Sequence, residues 1–342
     1  MKAIQLEKPG QFRLIDVDEP EAPAPGEAVV RVHRVGICGT DFSGYLGKMP
    51  FFSYPRIPGH ELGVEVVALG QGVTGVKVGD RCSVEPYLNC QQCHACRRGH
   101  TNCCQNNQTL GVHCDGGLQR FYKVPARKLH PSASLDFDSL ALVETLAIGR
   151  HALQRSQSRV GETIVVIGAG PIGLSVIEFA RISGARTVVM DVNPQRLEFV
   201  RTVMGVKDTI LARGDATDIE AVSALTGGDF AESVIDATGS NRSMSRALEF
   251  CSFGGRLVFV GITQAELSFL HAPLLHRREL TLMASRNALS DDFKQIITLI
   301  ESDRLDTRPW ITHRSDFNSM AACFTDWLKP EAGVIKAMVA VD

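Results

Sequence analysis

The sequence predicts an α/β protein in which a β-rich unit is joined to a doubly wound, parallel-stranded unit. Three observations predict it. Residues up to about 150 carry short apolar-alternating runs punctuated by Gly and Pro, the pattern of short strands joined by long loops. Beyond Thr163, continuous β-branched runs alternate with helical stretches, as parallel strands buried on both faces require. A glycine-rich turn, Gly168-Ala169-Gly170-Pro171-Ile172-Gly173, joins the first of those runs to a helix.

Taken in order, the strand candidates of the first unit are KAIQL, FRLIDV, AVVRVHRV, GVEVVAL, RCSVEPY and LQRFYKV. Turn residues separate them at Pro9-Gly10, Pro25-Gly26, Pro58-Gly59, Gly79-Asp80 and Gly116-Gly117. From about Leu140 the helical pattern LALVETLAIGRHAL carries the chain into the second unit. There Thr163–Ile167 and Thr187–Met190 read as buried strands, and SVIDAT and GRLVFVG as later ones of the same kind. Beyond Ala284 a helix (DDFKQIITLIES) and a strand (VIKAMVAVD) are expected to return to the first unit. The expected division is therefore 1–148 with 285–342, and 149–284, with a cysteine lobe at 88–106.

The 342 residues suffice for two domains and a large core. A formal net charge of -2 gives no electrostatic reason for nucleic acid or an anionic membrane as partner. No apolar run approaches the roughly 18–20 residues that span a bilayer. The opening MKAIQLEKPGQF lacks the apolar stretch of an export signal, so a cytoplasmic location is expected. Small-molecule substrates and a homo-oligomer, dimer or tetramer, are the expected partners.

The glycine turn has a mechanical reading. Gly168 permits the tight turn, Gly170 lets the backbone approach a pyrophosphate, and Gly173 allows close packing of helix on strand. Pro171 and Ile172 open the helix, whose N-terminus offers amide donors to the phosphates. Asp191, ending the next strand, would accept hydrogen bonds from ribose hydroxyls, which favours NAD over NADP. The other reading of Asp191 is a cap for the helix beginning near Asn193-Pro194, and Arg196 could accommodate a 2′-phosphate. Thr238 and Gly261, at the ends of SVIDAT and GRLVFVG, complete the expected nucleotide contacts.

Ten cysteines without an export signal point to metal rather than disulfides. Cys90-x2-Cys93-x2-Cys96-x7-Cys104 can wrap one tetrahedral Zn2+ with four thiolates, a closed and therefore structural site. Cys103 competes with Cys104 for the fourth place, since adjacent residues do not easily face one metal.

An open metal site would need distant segments: Cys38 in GICGTD, His60 and Glu61 in PGHELG, and Glu144 in LVETLAIG. Singly, each has an ordinary reading as a buried thiol, a core histidine or a helix carboxylate. Together with the four-cysteine lobe and VIGAGPIG they form an ordered set. Over essentially its full length the chain resembles the zinc-containing medium-chain alcohol and polyol dehydrogenases. The resemblance implies a GroES-like catalytic domain, a Rossmann domain and two zincs per chain. It assigns the catalytic zinc to Cys38, His60 and Glu144, with Glu61 as an outer or exchanging ligand. It makes Thr40 the hydroxyl that relays the substrate proton, and Asp41 the carboxylate that orients the histidine. Zinc would serve as Lewis acid on the substrate oxygen, and hydride would pass to the nicotinamide. Two positions depart from many relatives of the polyol branch: Ser43 stands where they have histidine, and Thr145 where they have proline.

The segments 47–55, 111–117 and 284–288 look most like the sugar-acid branch of that family, and the galactonate 5-dehydrogenases in particular. Tyr45, Phe51, His113, Arg286 and Asn287 are the expected substrate contacts, with Arg286 a bidentate partner for a substrate carboxylate. The favoured function is zinc- and NAD-dependent oxidation of a secondary alcohol of a sugar acid or polyol. A threonine-type or simple-alcohol dehydrogenase on the same scaffold is the second reading. A non-catalytic, nucleotide-sensing zinc protein is the third.

Overall fold

In the computed structural model, which describes residues 1–341, the chain divides into two compact units. One comprises Met1–Thr145 with Ala288 onward, the other Leu146–Asn287.

The first unit is built on a seven-stranded sheet. Its spatial order is Ile311–Asp316, Lys336–Ala340, Glu27–Ile37, Glu61–Leu69, Arg81–Val84 and Leu129–Ser132, with Phe121–Pro125 also paired to Glu27–Ile37. Alternating apolar residues of these strands supply one core face: Val30, Val32, Val35, Leu62, Val64, Val66 and Val339 are fully buried. The VIKAMVAVD strand pairs antiparallel with Glu27–Ile37, setting Met338 opposite Gly36. Glu27–Ile37 pairs on its other side with Glu61–Leu69, setting Gly36 opposite Glu61. Three strands from distant parts of the chain thus meet at one row. RCSVEPY is not one strand but two short ones, Arg81–Val84 and Tyr87–Leu88, with Pro86 between them unable to donate to a ladder. The edge strand Ile311–Asp316 and the helix Met320–Trp327 were not anticipated.

The second unit is a six-stranded, wholly parallel sheet. Its order is Thr209–Leu211, Arg186–Asp191, Thr163–Ile167, Ala231–Asp236, Cys251–Phe259 and Thr281–Ala284. Strand order reverses at Thr163–Ile167, so its carboxyl end and that of Ala231–Asp236 open a crevice. The run TIVVI is buried on both faces, which explains its lack of alternation. Among the described residues no helix is long and apolar enough to cross a membrane.

Candidate active site, nucleotide crevice and metal centres

At the carboxyl end of Thr163–Ile167 the chain turns at Gly168, whose φ of +98° suits glycine. A Cβ at Gly173 would strike the Gly168 carbonyl, so the helix Pro171–Ile182 packs against the turn only with glycine there. Gly170 is the N-cap of that helix and Pro171 its first residue, where a missing N–H costs nothing. The crevice is a cavity of about 370 Å³ lined by Gly168, Gly170, Asp191, Arg196, Arg213 and Thr238, among others. Ile172 and Gly261 do not line it, and Gly261 instead packs on the Gly239 backbone.

Asp191 is buried, and each of its oxygens is engaged. Oδ2 accepts from the Ala169 amide at 2.6 Å and Oδ1 from the Asn193 amide at 2.7 Å. The helix cap is Asn193, whose side chain accepts from the Gln195 and Arg196 amides. Asp191 therefore braces the glycine turn while keeping lone pairs for a ribose. The Arg196 guanidinium lies 4.0 Å from Asp191 and is part-exposed.

In the first unit, the sulfurs of Cys90, Cys93, Cys96 and Cys104 lie within 4.8 Å of one another. Short helical turns at His94–Arg97 and Thr101–Cys103 fold the lobe so that backbone amides reach the sulfurs. Cys90 N donates to Cys104 Sγ at 3.2 Å and Cys93 N to Cys90 Sγ at 3.3 Å. Backbone amides of Cys96 and Gln105 bring the Cys93 thiol down to about 6, while burial pushes Cys104 up to about 11. Cys103 is exposed and outside the cluster. Four thiols converging this closely, with amides aimed at them, fit a tetrathiolate zinc site.

The second cluster comprises Cys38, His60 and Glu61, whose ligating atoms also lie within 4.8 Å of one another. Cys38 is the N-cap of the helix Gly39–Tyr45, and its amide donates to Asp41 Oδ2 at 2.9 Å. Asp41 Oδ1 stands 3.9 Å from His60 Nδ1, and both atoms are buried without a hydrogen-bond partner. Burial opposes protonation of His60, yet the charges of Cys38, Asp41 and Glu144 raise its pKa well above the usual value. The pocket thus has a surplus of negative charge that favours a cation, and its thiolate, imidazole and carboxylate set fits zinc.

Glu144 is not in the tight triad. Its buried carboxylate accepts a hydrogen bond from the Tyr87 hydroxyl. Burial raises its pKa, and the nearby His60 partly offsets this. Glu61 takes the opposite course: burial resists its ionisation, but Lys336 and His60 hold its carboxyl below the ordinary range. Lys336 Nζ donates to both Glu61 oxygens, at 2.6 and 2.7 Å, and to Thr145 Oγ1 at 3.1 Å. Neither Tyr87 nor Lys336 was singled out from the sequence. Thr40, half-buried, follows Cys38 in the first turn of the same helix.

The expected substrate contacts separate into different environments. Tyr45 belongs to a ring cluster, 5.3 Å from Phe12 and 5.0 Å from Phe324, and so packs the core. Phe51 is 57% exposed, with its ring 6.3 Å from that of His113. His113 Nδ1 accepts from the Thr109 amide at 3.0 Å, which fixes the ring. Arg286 is exposed rather than buried, because it lies in the irregular segment after the edge strand Thr281–Ala284. Asn287 beside it takes a left-handed φ of +51°.

Residues 24–134 match the alcohol dehydrogenase GroES-like domain, and residues 171–302 the zinc-binding dehydrogenase family. The chain belongs to the zinc-type, medium-chain alcohol dehydrogenase family and is an oxidoreductase. It is 40% identical to the L-galactonate-5-dehydrogenase of Escherichia coli K12, over 89% of each chain. It is 33% identical to the D-altritol 5-dehydrogenase of Agrobacterium fabrum, over 95% of each. An alcohol dehydrogenase of Escherichia coli CFT073, solved with NADH, superposes with a TM-score of 0.91 at 28% identity, covering 100% of this chain and 99% of that one.

Proposed function

We propose that this chain uses zinc and NAD to oxidise a secondary alcohol of a sugar acid or polyol. Its preferred substrate would be a sugar acid of the galactonate type. The single observation that carries the reading is the Cys38–His60–Glu61 cluster, half-buried at the thiol and buried at the other two, with unpartnered Asp41 and His60 atoms beside it. The 40% identity to an L-galactonate-5-dehydrogenase supports the substrate class.

Cys38, His60 and Glu144 would hold one zinc, with Glu61 beside them as an outer or exchanging ligand, and Cys90, Cys93, Cys96 and Cys104 a second. When bound at the first site, zinc supplies Lewis acidity to a substrate hydroxyl. The chain's own residues do the rest. Asp41, 3.9 Å from His60 Nδ1, would orient the ring so that Nε2 is the nitrogen presented to the metal. Tyr87 restrains the Glu144 carboxylate. Thr40 Oγ1 accepts the substrate's hydroxyl proton and passes it outward. Gly168, Gly170 and the helix N-terminus at Pro171 cradle the pyrophosphate, and Asp191 takes the ribose. The free thiols serve as metal ligands, in keeping with a reducing, cytoplasmic location, and the working form would be a dimer or tetramer.

The substrate class is tested by turnover of a panel followed at 340 nm. kcat/KM should be higher for a five- or six-carbon aldonate than for the matching alditol, with very little activity on ethanol. A site built around a second polar group discriminates strongly against a substrate that lacks it. Because Arg286 is exposed, Arg286→Ala should erode the aldonate preference only a few-fold, on the order of 1 kcal/mol. An alditol preference in the wild type would overturn the sugar-acid reading while leaving the dehydrogenase intact.

Cofactor choice turns on Asp191, whose carboxylate repels a 2′-phosphate and bonds a 2′-hydroxyl. Asp191→Ser should narrow the NAD-over-NADP ratio of kcat/KM by about tenfold or more. Asp191 also braces Ala169 and Asn193, so KM should rise for both cofactors, and the ratio is the informative quantity. A wild type that prefers NADP would put Arg196 in control.

A further inference from the structure

Lys336 is one of the largest fully buried side chains in the molecule, and a buried ammonium demands a partner. Its partner is Glu61, which it meets at both oxygens with 1% exposure on either side. The one remaining N–H is shared between Thr145 Oγ1 at 3.1 Å and the Ile37 carbonyl at 3.3 Å. Three groups on three segments therefore fix one nitrogen. The backbone makes room for the pair. Gly36 lies opposite Glu61 in the sheet, and a Cβ there would run into the Glu61 carboxylate. Leu62, next along the strand, is packed into the core.

The charge balance gives this arrangement a purpose. Cys38, Glu61 and Glu144 can bring three negative charges to a site for a dication. An excess of anionic ligands would bind the metal tightly but weaken its pull on a substrate oxygen. A fixed ammonium on Glu61 removes one of those charges from the balance and draws the carboxylate toward itself.

We propose that Lys336, seated by Thr145, is a positioning residue that restrains Glu61 and sets how tightly the catalytic site holds its metal. The inference rests on the zinc reading of the Cys38 cluster given above. In this chain the threonine contributes a direct contact to the cation.

The test follows zinc release from the intact protein into an excess of a chromophoric chelator. Two phases are expected in the wild type. The phase absent from Cys38→Ser belongs to the catalytic site, and the other to the cysteine lobe. Lys336→Met should slow the catalytic-site phase by about tenfold or more, because a freed carboxylate then bonds the metal fully. The lobe phase should not change. Lys336→Arg should restore release to within about threefold of the wild type, since the positive charge is kept. Thr145→Val should slow release a few-fold, and Thr145→Ser should not. Unchanged or faster release in folded Lys336→Met overturns the proposal. If Lys336→Met does not fold, Thr145→Val decides, and an unchanged rate there overturns it equally. A wild type with no Cys38-dependent phase overturns the zinc reading itself, a result distinct from either.

Discussion

Cys38→Ser is expected to abolish turnover while leaving the melting temperature nearly unchanged. The pocket is made by a sheet and a helix N-terminus that exist for other reasons, with Val35, Ile37 and Leu62 packed behind it. Removing one thiolate takes away a ligand, not the scaffold. Losing several kcal/mol of charge stabilisation at the substrate oxygen corresponds to a fall on the order of 10³-fold or more in kcat/KM. Metal analysis should find two zincs in the wild type and one in the variant. Unchanged activity, or one zinc in the wild type, would remove the catalytic assignment.

Cys104→Ala is expected to have the opposite profile, a large cost in stability. The lobe has little core of its own beyond the four sulfurs and Ala95. Its fold depends on amide-to-sulfur bonds that lose their purpose without a metal, and the binding free energy of such a site is folding free energy. A loss of about 2–4 kcal/mol would lower Tm by roughly 5–15 °C. Cys93→Ser should behave in the same way. Cys103→Ala should keep both zincs and the wild-type Tm, because Cys103 is exposed and outside the cluster. The reverse result for the two neighbours would mean that Cys103 is the ligand.

What the sequence revealed and what it hid have a common physical cause. The glycine turn and the cysteine lobe are local: their functional atoms are a few residues apart, so spacing alone limits their geometry. The alternation of the first unit and the unbroken apolar runs of the second likewise report burial residue by residue. Tyr87 and Lys336 were hidden because their partners, Glu144 and Glu61, are remote in sequence and no periodicity links them. The pair Lys336–Glu61 spans 275 positions, and Lys336 alone reads as ordinary surface charge. Arg286 is a different case: residue type suggests a carboxylate clamp, and exposure in the segment after an edge strand limits how much such a clamp contributes.

The row formed by Met338, Gly36 and Glu61 also bears on how the protein is made. Residues 146–287 form a continuous stretch whose parallel sheet can assemble as soon as it leaves the ribosome. The catalytic unit has no such independence. The Arg34–Ile37 end of the Glu27–Ile37 strand must wait for its neighbour Lys336–Ala340, so that stretch stays unpaired on one side through most of synthesis, whereas Phe121–Pro125 covers Glu27–Arg31 much earlier. An open strand edge is a template for pairing with other chains. The nascent enzyme should therefore be most exposed to aggregation, and most dependent on chaperones, before the segment from Lys336 onward emerges. Metal acquisition at the Cys38 pocket should come late for the same reason.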